Sequence, residues 1–158
     1  MPHIPLELRQ APFVTENGTP VPAPRLFVRA DFLSPRGQRI RYRTIADTGS
    51  PYSFIPHKLA CQIRWSSLGG QLIIGGRPSA VTWFGVPCEM GELEVELADP
   101  RSLVRTNPLR VVAKIATQPA QGFLEEFAVL GLNFVLDNHA LQELDATGPV
   151  FSGSLLVP

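Results

Sequence analysis

Arg41-Tyr42-Arg43-Thr44-Ile45-Ala46-Asp47-Thr48-Gly49-Ser50 is the stretch on which the reading of this chain turns. Polar and apolar residues alternate up to Ala46, the period of a half-buried strand. The alternation then meets Asp, Thr, Gly and Ser, residue types whose side chains and backbone freedom favour turns. The sequence therefore predicts a strand that carries Asp47 to a turn at its tip. Ser53-Phe54-Ile55-Pro56 leaves that turn as a second short strand. A bare Asp-Thr-Gly is also an ordinary Asx-type turn between two strands, so the rest of the chain must add weight. It does so at Ala128-Val129-Leu130-Gly131-Leu132-Asn133-Phe134, an apolar run entering a glycine and then a short amphipathic segment.

With 158 residues the chain has the length of one domain and is too short for two lobes of about 100–150 residues each. Lys+Arg and Asp+Glu each number 14. That balance gives no electrostatic case for nucleic acid or an acidic membrane surface. Met1 to Glu7 lacks the apolar core of a leader, and no apolar run approaches the roughly 18 residues of a membrane span. A soluble, cytoplasmic protein is expected. Cys61 and Cys88 make no disulfide framework and read as two free, buried thiols.

Sixteen prolines and thirteen glycines cut the chain into short pieces, which favours strands and turns. Residues 1–24 read as a Pro-rich extended arm, and 25–158 as the single domain. Strands are expected at Leu26–Phe32, Ile40–Ala46, Leu72–Ile74, Ala80–Phe84, Glu92–Leu97, Leu109–Ile115, Phe127–Leu130, Ala140–Leu144 and Ser154–Val157. The first two should pair antiparallel through the turn Ser34-Pro35-Arg36-Gly37. Glycines at 69–70 and 75–76 bracket Leu72–Ile74. Glu92, Glu94 and Glu96 alternate with Leu93, Val95 and Leu97, so the glutamates read as the solvated side. His57–Gln62 and Leu132–Asn138 read as short helices. Asp145-Ala146-Thr147-Gly148 and Gly148-Pro149 read as turns, with Val150-Phe151 following. The fold class is all-β, a barrel with one short C-terminal helix.

The Asp47-Thr48-Gly49-Ser50 turn and the Val129-Leu130-Gly131 element together resemble the retropepsin-like aspartic proteases, over about Phe27 to Leu144. The resemblance implies an aspartic endopeptidase. One triplet per chain implies a homodimer, with Asp47 of each copy meeting on a two-fold axis. Like charges a few ångströms apart cannot both ionise, so such a pair shares one proton, one member acting as base and the other as acid. Water would then attack a polypeptide held in extended form, with no metal, no organic cofactor and no covalent intermediate. Thr48 would hydrogen-bond across the dimer, and Gly49 would offer φ > 0 and let N–H groups approach the carboxylate. The Ser50 hydroxyl would lie beside the carboxylate and favour its ionised form. A Gly-rich hairpin covers the cleft in this family. Leu72, Ile74, Gly75, Gly76, Val81, Trp83 and Phe84 are the candidates for that flap and its pocket, Trp83 being equally readable as core. The C-terminal hairpin would help form the dimer sheet. The rival reading is the same fold acting as a binding or dimerisation module without cleavage.

Other chemistries find less support. His3, His57 and His139 lack zinc-site spacing, and no Gly-x-Ser-x-Gly elbow occurs. The paired glycines lack the Gly-Lys-Ser/Thr of a phosphate loop. Arg64-Trp65 alone does not make a nucleic-acid surface.

Overall fold

The computed structural model describes residues 2–10, 13–69, 71–145, 147 and 152–158. The chain opens with β1 (His3–Pro5), β2 (Glu7–Gln10), β3 (Phe13–Val14) and β4 (Pro20–Val21). Then come β5 (Pro24–Leu33), β6 (Arg39–Ala46), β7 (Ser53–Ile55) and the one-turn helix α1 (His57–Ala60). The short strands β8 (Trp65–Gly69), β9 (Gln71–Ile74), β10 (Arg77–Ala80) and β11 (Thr82–Trp83) precede the long β12 (Val86–Ala98). The order continues with β13 (Leu109–Ala116), α2 (Phe123–Glu126), β14 (Ala128–Leu130), α3 (Leu132–Asp137), β15 (Leu141–Asp145) and β16 (Ser152–Leu156). Helix is confined to three short pieces among the described residues, so the protein is all-β as expected.

β5 and β6 form the antiparallel pair that the alternation predicts, in the register Phe27↔Ile45 to Leu33↔Arg39. Their turn is built by Ser34, whose hydroxyl accepts the N–H groups of Arg36 and Gln38 at 3.3 and 3.0 Å. Gly37 takes φ 74° there, a left-handed conformation that a side chain would disfavour.

The main sheet follows a closed path of pairings. β12 pairs with β13, β13 with β7, β7 with β14, β14 with β6, β6 with β5, and β5 returns to β12. Two contacts are parallel, β13 with β7 and β14 with β6; the other four are antiparallel. Inside lies the larger apolar cluster, with Phe32, Ile55, Leu97, Ile115, Leu130 and Phe134 almost fully buried. Burial of this kind is worth about 1.5–3 kcal/mol for each large side chain. A second cluster, centred on Phe54, Val81, Val86, Met90 and Val129, lies beside it. β1, β16 and β15 form a separate three-stranded sheet.

The structure corrects several expectations. Residues of the anticipated N-terminal arm are built into the body: β1 pairs with β16, β2 pairs with β5, and Ile4 and Leu6 join the main core. Glu96 is not on a solvated side but buried, because Arg39 and Arg105 close over it from β6 and from the loop after β12. Cys61 is exposed at the end of α1, while Cys88 is buried as expected. Ala80–Phe84 is not one strand: Val81 lies between β10 and β11, and Phe84 sits in the following turn at φ 46°. Gly70 of the glycines that bracket Leu72–Ile74, Ala146 and Gly148 of the Asp145–Gly148 turn, and the Gly148-Pro149 turn with Val150-Phe151 lie outside the described residues.

Candidate active site

β6 ends at Ala46, and the chain turns at once. The Asp47 N–H still bonds the Leu130 carbonyl at 2.9 Å, extending the parallel β6–β14 ladder by one rung. Asp47 is therefore held by the sheet, while its carboxylate, about one-third exposed, projects from the sheet's end. Its Oδ1 accepts the Gly49 N–H at 3.0 Å, and the Ser50 N–H closes the turn on the Asp47 carbonyl at 3.1 Å. Oδ2 faces Arg25, whose Nη1 lies 3.9 Å away. Thr48 and Gly49 are exposed at the tip.

Gly131 explains why the turn packs where it does. A Cβ there would lie 2.4 Å from the Tyr52 carbonyl oxygen and 2.7 Å from that of Ser50, closer than backbone tolerates. With no side chain, the start of α3 docks under the loop, and Leu132 N–H bonds the Ser50 carbonyl at 2.8 Å. Ser53 and Asn133 lock the arrangement. The Gly131 N–H donates to Ser53 Oγ at 3.0 Å. Asn133 Oδ1 accepts from both the Ser53 N–H and its hydroxyl, and Asn133 Nδ2 donates to the Val112 carbonyl at 2.6 Å. Sequence reasoning did not single out Ser53 or Asn133. A lone amide at the second position of the otherwise apolar Leu132-Asn133-Phe134-Val135-Leu136 segment was the available signal.

Two of the expected roles change. Gly49 does not take a positive φ; a Cβ there would instead crowd Asp47 Oδ1 at 3.1 Å, so the glycine serves the close N–H approach. The Ser50 hydroxyl donates to the Tyr52 carbonyl at 2.7 Å, bracing the loop and leaving the Asp47 carboxylate to other partners.

β9 and β10 form a hairpin in the register Ile74↔Arg77, with Gly75 and Gly76 at its tip at φ 57° and 75°. Two consecutive positive φ values are the geometry of a tight two-residue hairpin turn, which glycine adopts without strain. Ile73 and Ile74 are exposed near the tip, whereas Leu72 packs on the second apolar cluster. Val81 is a buried member of that cluster. Trp83 stacks on Phe54, with ring centroids 5.0 Å apart and planes 7° apart, so it serves as core on one face. Phe84 stands out into solvent. The cluster thus joins the base of the hairpin to Phe54 and Val129, which directly follow and flank the Asp47 loop.

Elsewhere, burial pushes the Cys88 thiol up to about 11, against a smaller opposing pull from Lys114. It is an inert thiol near neutrality. Among the described residues no three His, Cys, Asp or Glu side chains gather as a metal site would require, and no helix is long and apolar enough to cross a membrane. The chain matches no protein-family model, no curated protein and no solved structure.

Proposed function

We propose that this protein is an aspartic endopeptidase of retropepsin-like fold, working as a homodimer. In this reading the closed strand path is the family's barrel, and Asp47 meets the partner subunit's Asp47 across a two-fold axis. The observation that carries the reading is the seating of the Asp47 loop. A carboxylate leaves the end of β6, is tied to Leu130 of β14, and rests on a glycine that no other residue can replace without a clash. The exposed Thr48 and Gly49 leave the tip free to meet a second copy. The β9–β10 hairpin, with its glycine tip and apolar Ile73 and Ile74, has the build of a flap that closes on a peptide and excludes water. β15, at the edge of the three-stranded sheet, exposes Leu141 and Leu144 and supplies apolar surface for the dimer.

The chemistry follows from two carboxylates sharing one proton. The ionised member takes a proton from water as that water attacks the peptide carbonyl. The protonated member hydrogen-bonds the carbonyl oxygen, and a proton then reaches the leaving amine. The Gly49 N–H holds one oxygen of each carboxylate in place.

A second reading has its own support. Asp47 already has a neighbour of opposite charge in Arg25 and an Asx-type bond to Gly49, so the loop could serve a binding or dimerisation module. Solution mass and peptide-library cleavage from acid to neutral pH, run on the wild type and Asp47→Asn, separate the two. A dimer whose cleavage vanishes in the variant supports the enzyme. A dimer that cleaves nothing supports the module, and cleavage that persists in the variant overturns the role of Asp47.

A further inference from the structure

The outer face of the β2–β5–β6 ladder carries a row of arginines, and one pair in it lacks any internal explanation. Arg29 of β5 and Arg43 of β6 stand directly opposite each other in the antiparallel register. Like charges in that position destabilise a strand pair. Their neighbours are neutralised: Arg41 by Asp31, Arg39 by Glu96 and Arg9 by Glu7. Among the described residues no carboxylate lies within ion-pair reach of Arg29 or Arg43. Asp99 interacts with Arg29 only through longer-range charge, since its oxygens accept the Arg101 N–H at 2.8 Å and the Ser102 hydroxyl at 2.7 Å.

Arg29 carries a second anomaly. Its Nε is shielded from solvent and has no hydrogen-bond partner, a state that buried donors normally avoid. Both arginines line a surface cavity of about 290 Å³, together with Arg41, the Arg9–Glu7 ion pair and the apolar surfaces of Phe27 and Pro100. That volume is at the lower end for small-molecule sites. Guanidinium forks match the paired oxygens of phosphate and carboxylate groups. We propose that this cavity is a binding site for a small oxyanion, a phosphate- or polycarboxylate-bearing molecule held between Arg29 and Arg43. The anion would neutralise the opposed pair. The site is independent of Asp47 and of any peptidase activity.

Thermal unfolding of the full chain tests this, in inorganic phosphate and separately in citrate, each against sodium chloride at matched ionic strength. A ligand that binds only the folded state raises Tm by roughly 5–10 °C at about a hundredfold excess over Kd. That rise is expected in the wild type and absent in Arg43→Gln and Arg29→Gln. Salting effects of phosphate or citrate act on every variant alike, so an equal rise in Arg43→Gln overturns the site, as does no rise in the wild type with either anion. Response to phosphate alone identifies a phosphate-bearing ligand, and response to citrate alone a polycarboxylate. In the absence of anion, Arg43→Gln should melt no lower than the wild type, because it removes a repulsion. A clear drop would mean that the pair is structural and would also overturn the proposal. Arg43 is exposed, so its replacement leaves a folded protein to measure even if Arg29→Gln does not.

Discussion

Asp31 and Asp47 lie toward opposite ends of one antiparallel pair, β5 with β6, and each faces arginine. Asp31 is 1% exposed and clasped on both oxygens, by Arg41 at 3.0 and 3.3 Å and by Arg105 at 2.7 Å. Arg105 also reaches Glu96 Oε2 at 3.1 Å, and Arg39 bonds the same oxygen at 2.6 Å. Asp47 is about one-third exposed, and its one arginine stays at 3.9 Å. A carboxylate saturated with short charge-assisted bonds is committed to the fold. One with a single backbone donor and a distant cation keeps lone pairs for water or substrate.

The largest expected effect comes from breaking the saturated end. Asp31→Asn leaves two partly exposed guanidiniums around an uncharged, buried group. It should lower unfolding free energy by roughly 3 kcal/mol, read from urea denaturation. A loss below about 0.5 kcal/mol would place Asp31 in the same class as Asp47.

The same residue sets an acid limit. Burial pushes the Asp31 carboxyl up, but the hydrogen bonds and charges of Arg41 and Arg105 outweigh it and hold the pKa below the ordinary value. A folded-state pKa below the unfolded one means that stability is fully present above the unfolded value and falls away as pH drops through the folded one. Wild-type stability should therefore decline below about pH 4, and Asp31→Asn should show a shallower decline there. Parallel slopes in denaturation titrations of the two proteins would remove Asp31 as the source.

At the other end the geometry resides in the support. Gly131→Ala forces a Cβ onto two carbonyl oxygens and should cost about 1–3 kcal/mol as the loop shifts. Under the proposed function it also lowers cleavage far more than it lowers the folded fraction. Unchanged stability would show that the seat is loose. Asn133→Ala removes the acceptor of two Ser53 bonds and the donor to Val112, for roughly 1–2 kcal/mol. Asp47→Asn should shift stability least, within about 0.5 kcal/mol by the same denaturation measurement, because an exposed carboxylate bonded to one N–H loses little as an amide.

The sequence showed the open end of this comparison better than the closed one. Strand β6 and the turn at Asp47 follow from alternation and turn chemistry, both legible within a dozen residues, whereas the docking of Gly131 against that turn joins distant segments and was implied only by the family resemblance. The period-two run at Glu92–Leu97 was equally regular, yet its reading failed at Glu96. Alternation reports which face a side chain takes, and says nothing of what covers that face. Arg39 comes from a distant strand, and Arg105, though only nine residues on, is brought back beside β12 by its bridge to Ala98, which alternation does not report. The same holds for Ile4 and Leu6, whose burial depends on β16 and β5, and for the Ser50 hydroxyl, drawn to Tyr52 by the loop's own curvature. Phe84 defied its β-forming character because Phe84-Gly85 is the whole connection between Trp83 and Val86, and so tight a turn requires positive φ.

The pairing of β1 with β16 has a kinetic consequence. Ile4 sits opposite Leu155, so the sheet that covers this part of the core joins segments from the two ends of the sequence. Closing so long a loop is entropically unfavourable and late, and chains dominated by such distant contacts fold slowly. During synthesis β1 emerges well before β16 and must wait for it. Through that interval Ile4 has no partner, and the strand edge at β1 is open to other chains.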